Sequence, residues 1–194
     1  MTTPTQLTSR FEQALVYAAC LHRYQYRKDD HTPYIAHLLS VSAIVLEQGG
    51  DEDEAIAALL HDAVEDQGGE PTRQAIQQQF GDQVTAIVEG CTETTQTPKL
   101  SWQLRKQHYL EQIQQAPVSV LRVSLADKLH NARSLLSFLH QEGEVVWSRF
   151  NASKADTLGF YNALSQIYRS TGWDDLIQEF DRLLIEIATF TPES

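Results

Sequence analysis

The sequence points to an all-α fold, and three observations carry that expectation. Apolar residues recur at three- and four-residue intervals through most of the chain, and strand-like alternation is scarce. Only six Pro and nine Gly punctuate 194 residues. No internal repeat and no linker rich in Gly, Ser or Pro divides the chain. One domain over residues 1–194 is expected, a helical bundle of roughly eight to ten helices.

The elements follow in order. Phe11, Ala14, Leu15, Tyr17, Ala18 and Leu21 form one stripe. They predict a helix over about 8–24 with Thr8 or Ser9 as N-cap. The polar run 26–37 breaks the period. Thr32-Pro33 then reads as a helix start, Thr as cap and Pro in the first turn. That helix runs to about Glu47, with Ile35, Leu38, Leu39, Val41, Ile44 and Val45 toward the core and Gly49-Gly50 as its stop. A third helix is expected from about Glu52 to Glu65, a short one from Pro71-Thr72 to Phe80, and another from Asp82 to Gly90. Thr92–Lys99 is polar and reads as a loop. Leu100–Gln115 reads as a polar helix with a solvated charged face. From Val118 the chain turns apolar, a buried helix interrupted by Asp127, Lys128, His130 and Asn131 and closed near Gly143. Residues 145–170 and 174–190 give two amphipathic helices separated at Thr171-Gly172. Their apolar stripe serves either the core or a second copy of the chain.

Composition removes several classes of function. A net charge of -11 argues against broad nucleic-acid binding. It leaves room for a small phosphate ligand, because local cations can reverse the sign inside one pocket. No run approaches the roughly 18–20 apolar residues of a membrane span. The N-terminus lacks the apolar core of a signal peptide, which makes the cytoplasm the default. Cys20 and Cys91 are too few and too far apart for a disulfide framework or a zinc pair, and read as packing residues.

Residues 59–66 draw the most attention. An apolar helix, residues 55–60, runs into His61, Asp62, Glu65 and Asp66 within two turns. Residues four apart share a helix face, so His61 aligns with Glu65 and Asp62 with Asp66. Unpaired buried charge is costly, and a divalent cation would resolve that cost. An acidic, solvated helix end with a capping His is the alternative. His37 and Asp127 also interrupt apolar helix faces. Two imidazoles with two carboxylates suit a borderline-to-hard divalent metal such as Mn²⁺, Fe²⁺ or Zn²⁺. Spacing alone leaves open whether His37 and Asp127 reach the His61-Asp62 pair.

Four ordered blocks carry a family resemblance: residues 27–37, from Arg27 to His37; residues 57–66, from Ala57 to Asp66; Phe80-Gly81; and residues 125–131, from Leu125 to Asn131. Together they resemble the HD superfamily of metal-dependent phosphohydrolases, and more narrowly the hydrolase domain of the RelA/SpoT family and its stand-alone small alarmone hydrolases. The resemblance covers about residues 10–140. It implies that His37, His61, Asp62 and Asp127 hold one metal, usually Mn²⁺. It implies that Glu65 and Asp66 are catalytic and that Arg27, Lys28 and Asn131 line a nucleotide site. The implied substrate is guanosine tetra- or pentaphosphate, which loses its 3′-pyrophosphate. Two rivals are kept: a phosphohydrolase of another nucleotide, 5′-mono or cyclic, and a nucleotide-binding regulator without turnover.

The sequence departs from the family pattern at Leu38, where Pro is frequent, at Gln67, where Thr is usual, and at Ser124, where Lys is usual. His108 and His130 read as structural. Lys99 and Arg105 flank the polar loop within reach of a phosphate, but read as a solvated face. Trp102, Trp147 and Trp173 read as packing anchors. Tyr161 could approach the pocket from a later helix, and nothing in the sequence fixes it there.

Overall fold

A computed structural model describes residues 5–27, 31–94, 98 and 100–191. Ten α-helices follow one another among them: α1 (Ser9–Leu21), α2 (Ile35–Glu47), α3 (Glu52–Leu60), α4 (Ala63–Asp66), α5 (Glu70–Phe80), α6 (Asp82–Cys91), α7 (Trp102–Gln114), α8 (Val118–Glu142), α9 (Lys154–Tyr168) and α10 (Asp174–Thr189). Short 3-10 segments cover Gly143–Arg149 and Arg169–Thr171. Among the described residues there is no strand beyond an isolated bridge between Tyr26 and Pro33. None of the helices is long and apolar enough to cross a membrane.

The architecture is built on α3. Its start is fixed by a capping box, in which Asp51 accepts from the Glu54 N–H and Glu54 reaches back to the Asp51 N–H. Every residue from Ala55 to Leu60 is wholly buried. α3 packs against α1, α2, α6 and α8 together. A fully buried Leu or Ile contributes about 1.5–3 kcal/mol through burial, so this helix anchors whatever its C-terminal end presents. Gly90 lets α6 approach α8, since a Cβ there would come within 2.5 Å of a Val120 methyl. The apolar stripe of α10, with Leu176, Ile177, Phe180, Leu184 and Ile187, is buried, and α10 packs on α8 and α9. That stripe is core.

Several boundaries depart from the sequence expectation, each for a local reason. Thr8 caps α1 as expected, but the helix stops at Leu21. Thr32 does not cap α2. Its carbonyl accepts the Arg27 N–H at 2.8 Å and Pro33 bridges to Tyr26, so the pair closes a small clasp and the helix begins at Ile35. Leu39, expected in the core, is 45% exposed. The third helix breaks after Leu60. The chain turns through His61 and Asp62 and resumes as the single turn α4. Residues 145–153 are a 3-10 segment followed by irregular backbone, and the helix starts only at Lys154. Cys20 is exposed and Cys91 half-buried, so only the latter packs at all.

Candidate active site

The break after α3 brings the chemistry together. His61 stands at the end of α3, and its Nδ1 lies 2.8 Å from the Ala58 carbonyl. A carbonyl can only accept, so Nδ1 carries a proton, and Nε2 offers a lone pair only when the ring is neutral. That Nε2 is buried and has no hydrogen-bond partner. It lies 3.0 Å from Asp62 Oδ2 and 3.6 Å from Asp127 Oδ1. His37 Nε2, from α2, lies 3.2 Å from Asp127 Oδ1 and 3.6 Å from Asp62 Oδ2. Ligand atoms of His37, His61 and Asp127 all fall within 4.8 Å of one another.

Two carboxylate oxygens thus face two imidazole nitrogens in a largely dry spot. The arrangement calls for positive charge. Burial disfavours the His61 imidazolium, yet Asp62 and Asp127 outweigh it and draw the imidazole well above its ordinary value. Burial likewise opposes ionisation of Asp62, but His61 and His37 hold it well below the usual carboxylate range. Asp127 is held low in the same way, against burial, by Lys128, His37 and His61. Two imidazole nitrogens, one of them buried without a hydrogen bond, and two carboxylates, drawn from three segments, fit a divalent cation that would take the place of the imidazole proton.

Each of these groups is held by a neighbour. His37 Nδ1 lies 2.9 Å from Nδ1 of His130, and one of the two must carry a proton. Burial first, then His37 and Arg27, push His130 down to about 4. With His130 held neutral and its proton on Nε2, it accepts from His37 Nδ1–H, the arrangement that leaves the His37 Nε2 lone pair toward the carboxylates. Such orienting hydrogen bonds accompany most metal-binding imidazoles. Tyr34 donates to Asp62 Oδ2 at 2.6 Å. Asn131 donates to Asp127 Oδ1 and Lys128 to Asp127 Oδ2, both at 2.6 Å. Arg27 donates to Asn131 Oδ1 at 3.0 Å.

Beside this cluster lies a cleft of about 520 Å³, within the range of small-molecule sites. Glu65 and Asp66 line it from α4. Glu65 accepts the Glu93 N–H at 3.2 Å, and Asp66 accepts from the Gln25 amide at 2.8 Å. Arg27, Asn131, Asp62 and Asp127 also line the cleft. Lys28 and Lys99 lie outside the described residues.

The structure adds to the cleft groups that the sequence reading left outside the assigned site, and it brings Tyr161 to the pocket as that reading allowed. Arg105 and Lys106 do not form a solvated face. Both pair with Glu93, their side chains are only 14% and 20% exposed, and they wall the cleft. Lys128 and Arg149 add two more cations. Trp102, Phe160 and Tyr161 line the same wall, with Trp102 edge-on to Phe160 at 6.2 Å. His130 is more than structural packing, because it orients His37. Ser124, by contrast, is buried between the Tyr109 and Tyr168 hydroxyls at 2.9 and 2.7 Å and does not line the cleft.

Comparison with known proteins agrees with this geometry. The HD_4 family model, described as HD domain, matches residues 14–158. The guanosine-3′,5′-bis(diphosphate) 3′-pyrophosphohydrolase MESH1 of Mus musculus is 40% identical over 126 residues, 63% of this chain and 68% of that protein. The Drosophila melanogaster protein of the same name is 37% identical over 134 residues, 68% and 72% of the two chains. A solved structure described as a metazoan ortholog of SpoT that hydrolyzes ppGpp superposes with a TM-score of 0.77 at 28% identity. It covers 96% of this chain and 99% of its own. With three quarters of its length under the family model, the chain belongs to the HD domain family.

Proposed function

We propose that the protein is a Mn²⁺-dependent hydrolase that removes the 3′-pyrophosphate of guanosine tetra- or pentaphosphate. The observation that carries this reading is the buried His61 Nε2, set with His37 Nε2 against Asp62 and Asp127 beside a cleft that holds three further carboxylates and several cations. The relatives named for the same reaction support it. His37, His61, Asp62 and Asp127 would hold the metal. When bound, such an ion lowers the pKa of water and neutralises phosphoryl oxygens.

The protein's own side chains supply the rest. Water attacks the phosphorus attached to the ribose 3′ oxygen, and the bond to that oxygen breaks. Glu65 and Asp66 share the proton work, one taking the proton of the attacking water and the other protonating the departing 3′ oxygen. Arg27 and Asn131, already bonded to each other, form the rim where the nucleoside docks, and the family resemblance adds Lys28 as a further substrate-binding residue. Arg27 offers a planar face to the guanine. The cations across the cleft attract the substrate's phosphates, against the acidic charge of the whole chain. A cytoplasmic setting fits such a substrate. Cleft walls drawn from both the N-terminal helices and α9 favour one domain over residues 1–194.

Pyrophosphate release from guanosine tetraphosphate, with and without Mn²⁺, tests the reading. Metal-dependent release that Asp66→Asn loses is the expected result. No release from folded, metal-loaded protein would discard the alarmone assignment. Phosphate release from a 5′-mononucleotide would then favour another nucleotide hydrolase.

A further inference from the structure

Gln25 is a residue that holds Asp66, and it belongs to none of the groups assigned above. Its side-chain amide sits at a junction. Oε1 receives His22 Nδ1 at 2.6 Å and the Gln67 amide, while Nε2 donates to Asp66 Oδ2 at 2.8 Å. Flipping the amide would aim an oxygen at a carboxylate and an NH₂ at another NH₂, so Asp66 itself fixes the orientation. An amide oxygen can only accept, so His22 carries its proton on Nδ1. Burial pushes the His22 imidazole down, and its Nε2 is buried without a partner. The ring is held by a parallel stack on Tyr34, at 5.4 Å between centroids and 13° between planes.

The backbone of Gln25 is equally fixed. Its N–H donates to the His22 carbonyl at 3.0 Å, and its carbonyl accepts the Tyr34 N–H at 2.9 Å. Tyr34 in turn donates to Asp62. One residue therefore ties the Asp66 carboxylate to the segment that fixes a proposed metal ligand. Two donors on Oε1 also polarise the amide and strengthen its N–H toward Asp66. Gln67, which stands where the family resemblance would place Thr, supplies the second of them.

We propose that Gln25, braced by His22 and Gln67, is a positioning residue that sets the orientation and the proton affinity of Asp66 toward the substrate. The inference rests on the hydrolase reading above, which makes Asp66 one of the two proton-handling acids. It concerns reactivity: the Gln25 amide stabilises ionised Asp66 and aims it, and makes no contact of its own with the reacting atoms.

Two substitutions and two measurements test it on the full chain. Gln25→Met keeps the volume and removes both polar ends. Gln25→Glu replaces the donor by a second carboxylate. In pyrophosphate release at saturating Mn²⁺, Gln25→Met is expected to lower kcat about tenfold or more with KM within about twofold, the cost of losing a hydrogen bond to a charged group. Gln25→Glu is expected to move one limb of the kcat–pH profile upward, because one carboxylate disfavours ionisation of its neighbour. The acidic limb moves if Asp66 acts as base, the basic limb if it acts as acid. The second measurement needs no turnover: the carboxyl ¹³C signal of Asp66 should titrate at higher pH in both variants than in the unsubstituted protein. Unchanged kcat with an unmoved Asp66 titration would overturn the proposal, as would a loss fully explained by unfolded protein. If the unsubstituted protein releases no pyrophosphate but the Asp66 signal moves, the reaction assignment fails and the positioning contact stands.

Discussion

Removing Lys128 should make the protein's stability depend on the metal. Lys128 Nζ lies 2.6 Å from Asp127 Oδ2; Asp127 is buried and the Lys128 side chain is 15% exposed. The ammonium also sits 5.1 Å from the centre of the Tyr109 ring. Lys128→Met fills the same space with an apolar stem and leaves Asp127 without its nearest cation. Breaking a buried pair from one side costs about 3–5 kcal/mol, and burial of the Met side chain favours the lower end. At about 2.1 cal/mol/K of unfolding entropy per residue, 3 kcal/mol over this chain is a drop of about 7 °C in Tm. The drop should appear in full only after chelation. A divalent cation between His37, His61, Asp62 and Asp127 restores positive charge beside Asp127 by another route. Calorimetry of both proteins in EDTA and in saturating Mn²⁺ is the assay. The interval between the two midpoints should be wider in the variant by about 5 °C or more. Equal intervals would refute the idea that Asp127 shares its charge between Lys128 and a metal.

Three further outcomes are expected. His130→Phe removes the acceptor that orients His37, so Mn²⁺ affinity by titration calorimetry should fall about tenfold or more; unchanged affinity would deny His130 that role. The pH dependence of stability should run in opposite senses with and without metal. The stabilisation from the raised His61 is complete below its unfolded value of about 6.5 and is lost as pH rises through its folded value; that from the depressed Asp62 and Asp127 is complete above about pH 4 and is lost as pH falls. Chelated protein should therefore lose Tm above about pH 6.5, while the increment due to Mn²⁺ grows, because the ligands must be deprotonated; parallel curves in scanning fluorimetry would contradict this. Gly90→Ala drives a methyl against Val120 and should cost about 1–3 kcal/mol in urea unfolding with the m-value unchanged.

What the sequence made legible were features with a local period or a fixed spacing. The helix around Ala55–Leu60 and the long helix carrying Asp127 follow from their apolar runs, and the Thr8 cap from its side chain. The ordered motif blocks led to the ligand cluster. The break at His61 was hidden, because the helical pattern runs straight across it: Glu65 and Asp66 remain in phase although a turn separates them from α3. The His37–His130 contact spans 93 positions and depends on how α2 meets α8. Arg105 and Lys106 looked solvated because their partner, Glu93, lies on the far side of a polar loop. Charge on a polar helix carries no local sign of which way it faces.

The aromatic wall of the cleft has a consequence for how such a protein diversifies. Phe160 and Tyr161 belong to α9, whereas every imidazole and carboxylate assigned to the chemistry lies between His37 and Asp127. Part of the mould is thus written in a stretch of the polypeptide that carries none of the reagent, although Trp102 of the same wall lies within the reagent's stretch. Substitutions at Phe160 and Tyr161 can therefore reshape what fits without replacing any of those imidazoles or carboxylates, which lets selectivity drift with less cost to reactivity.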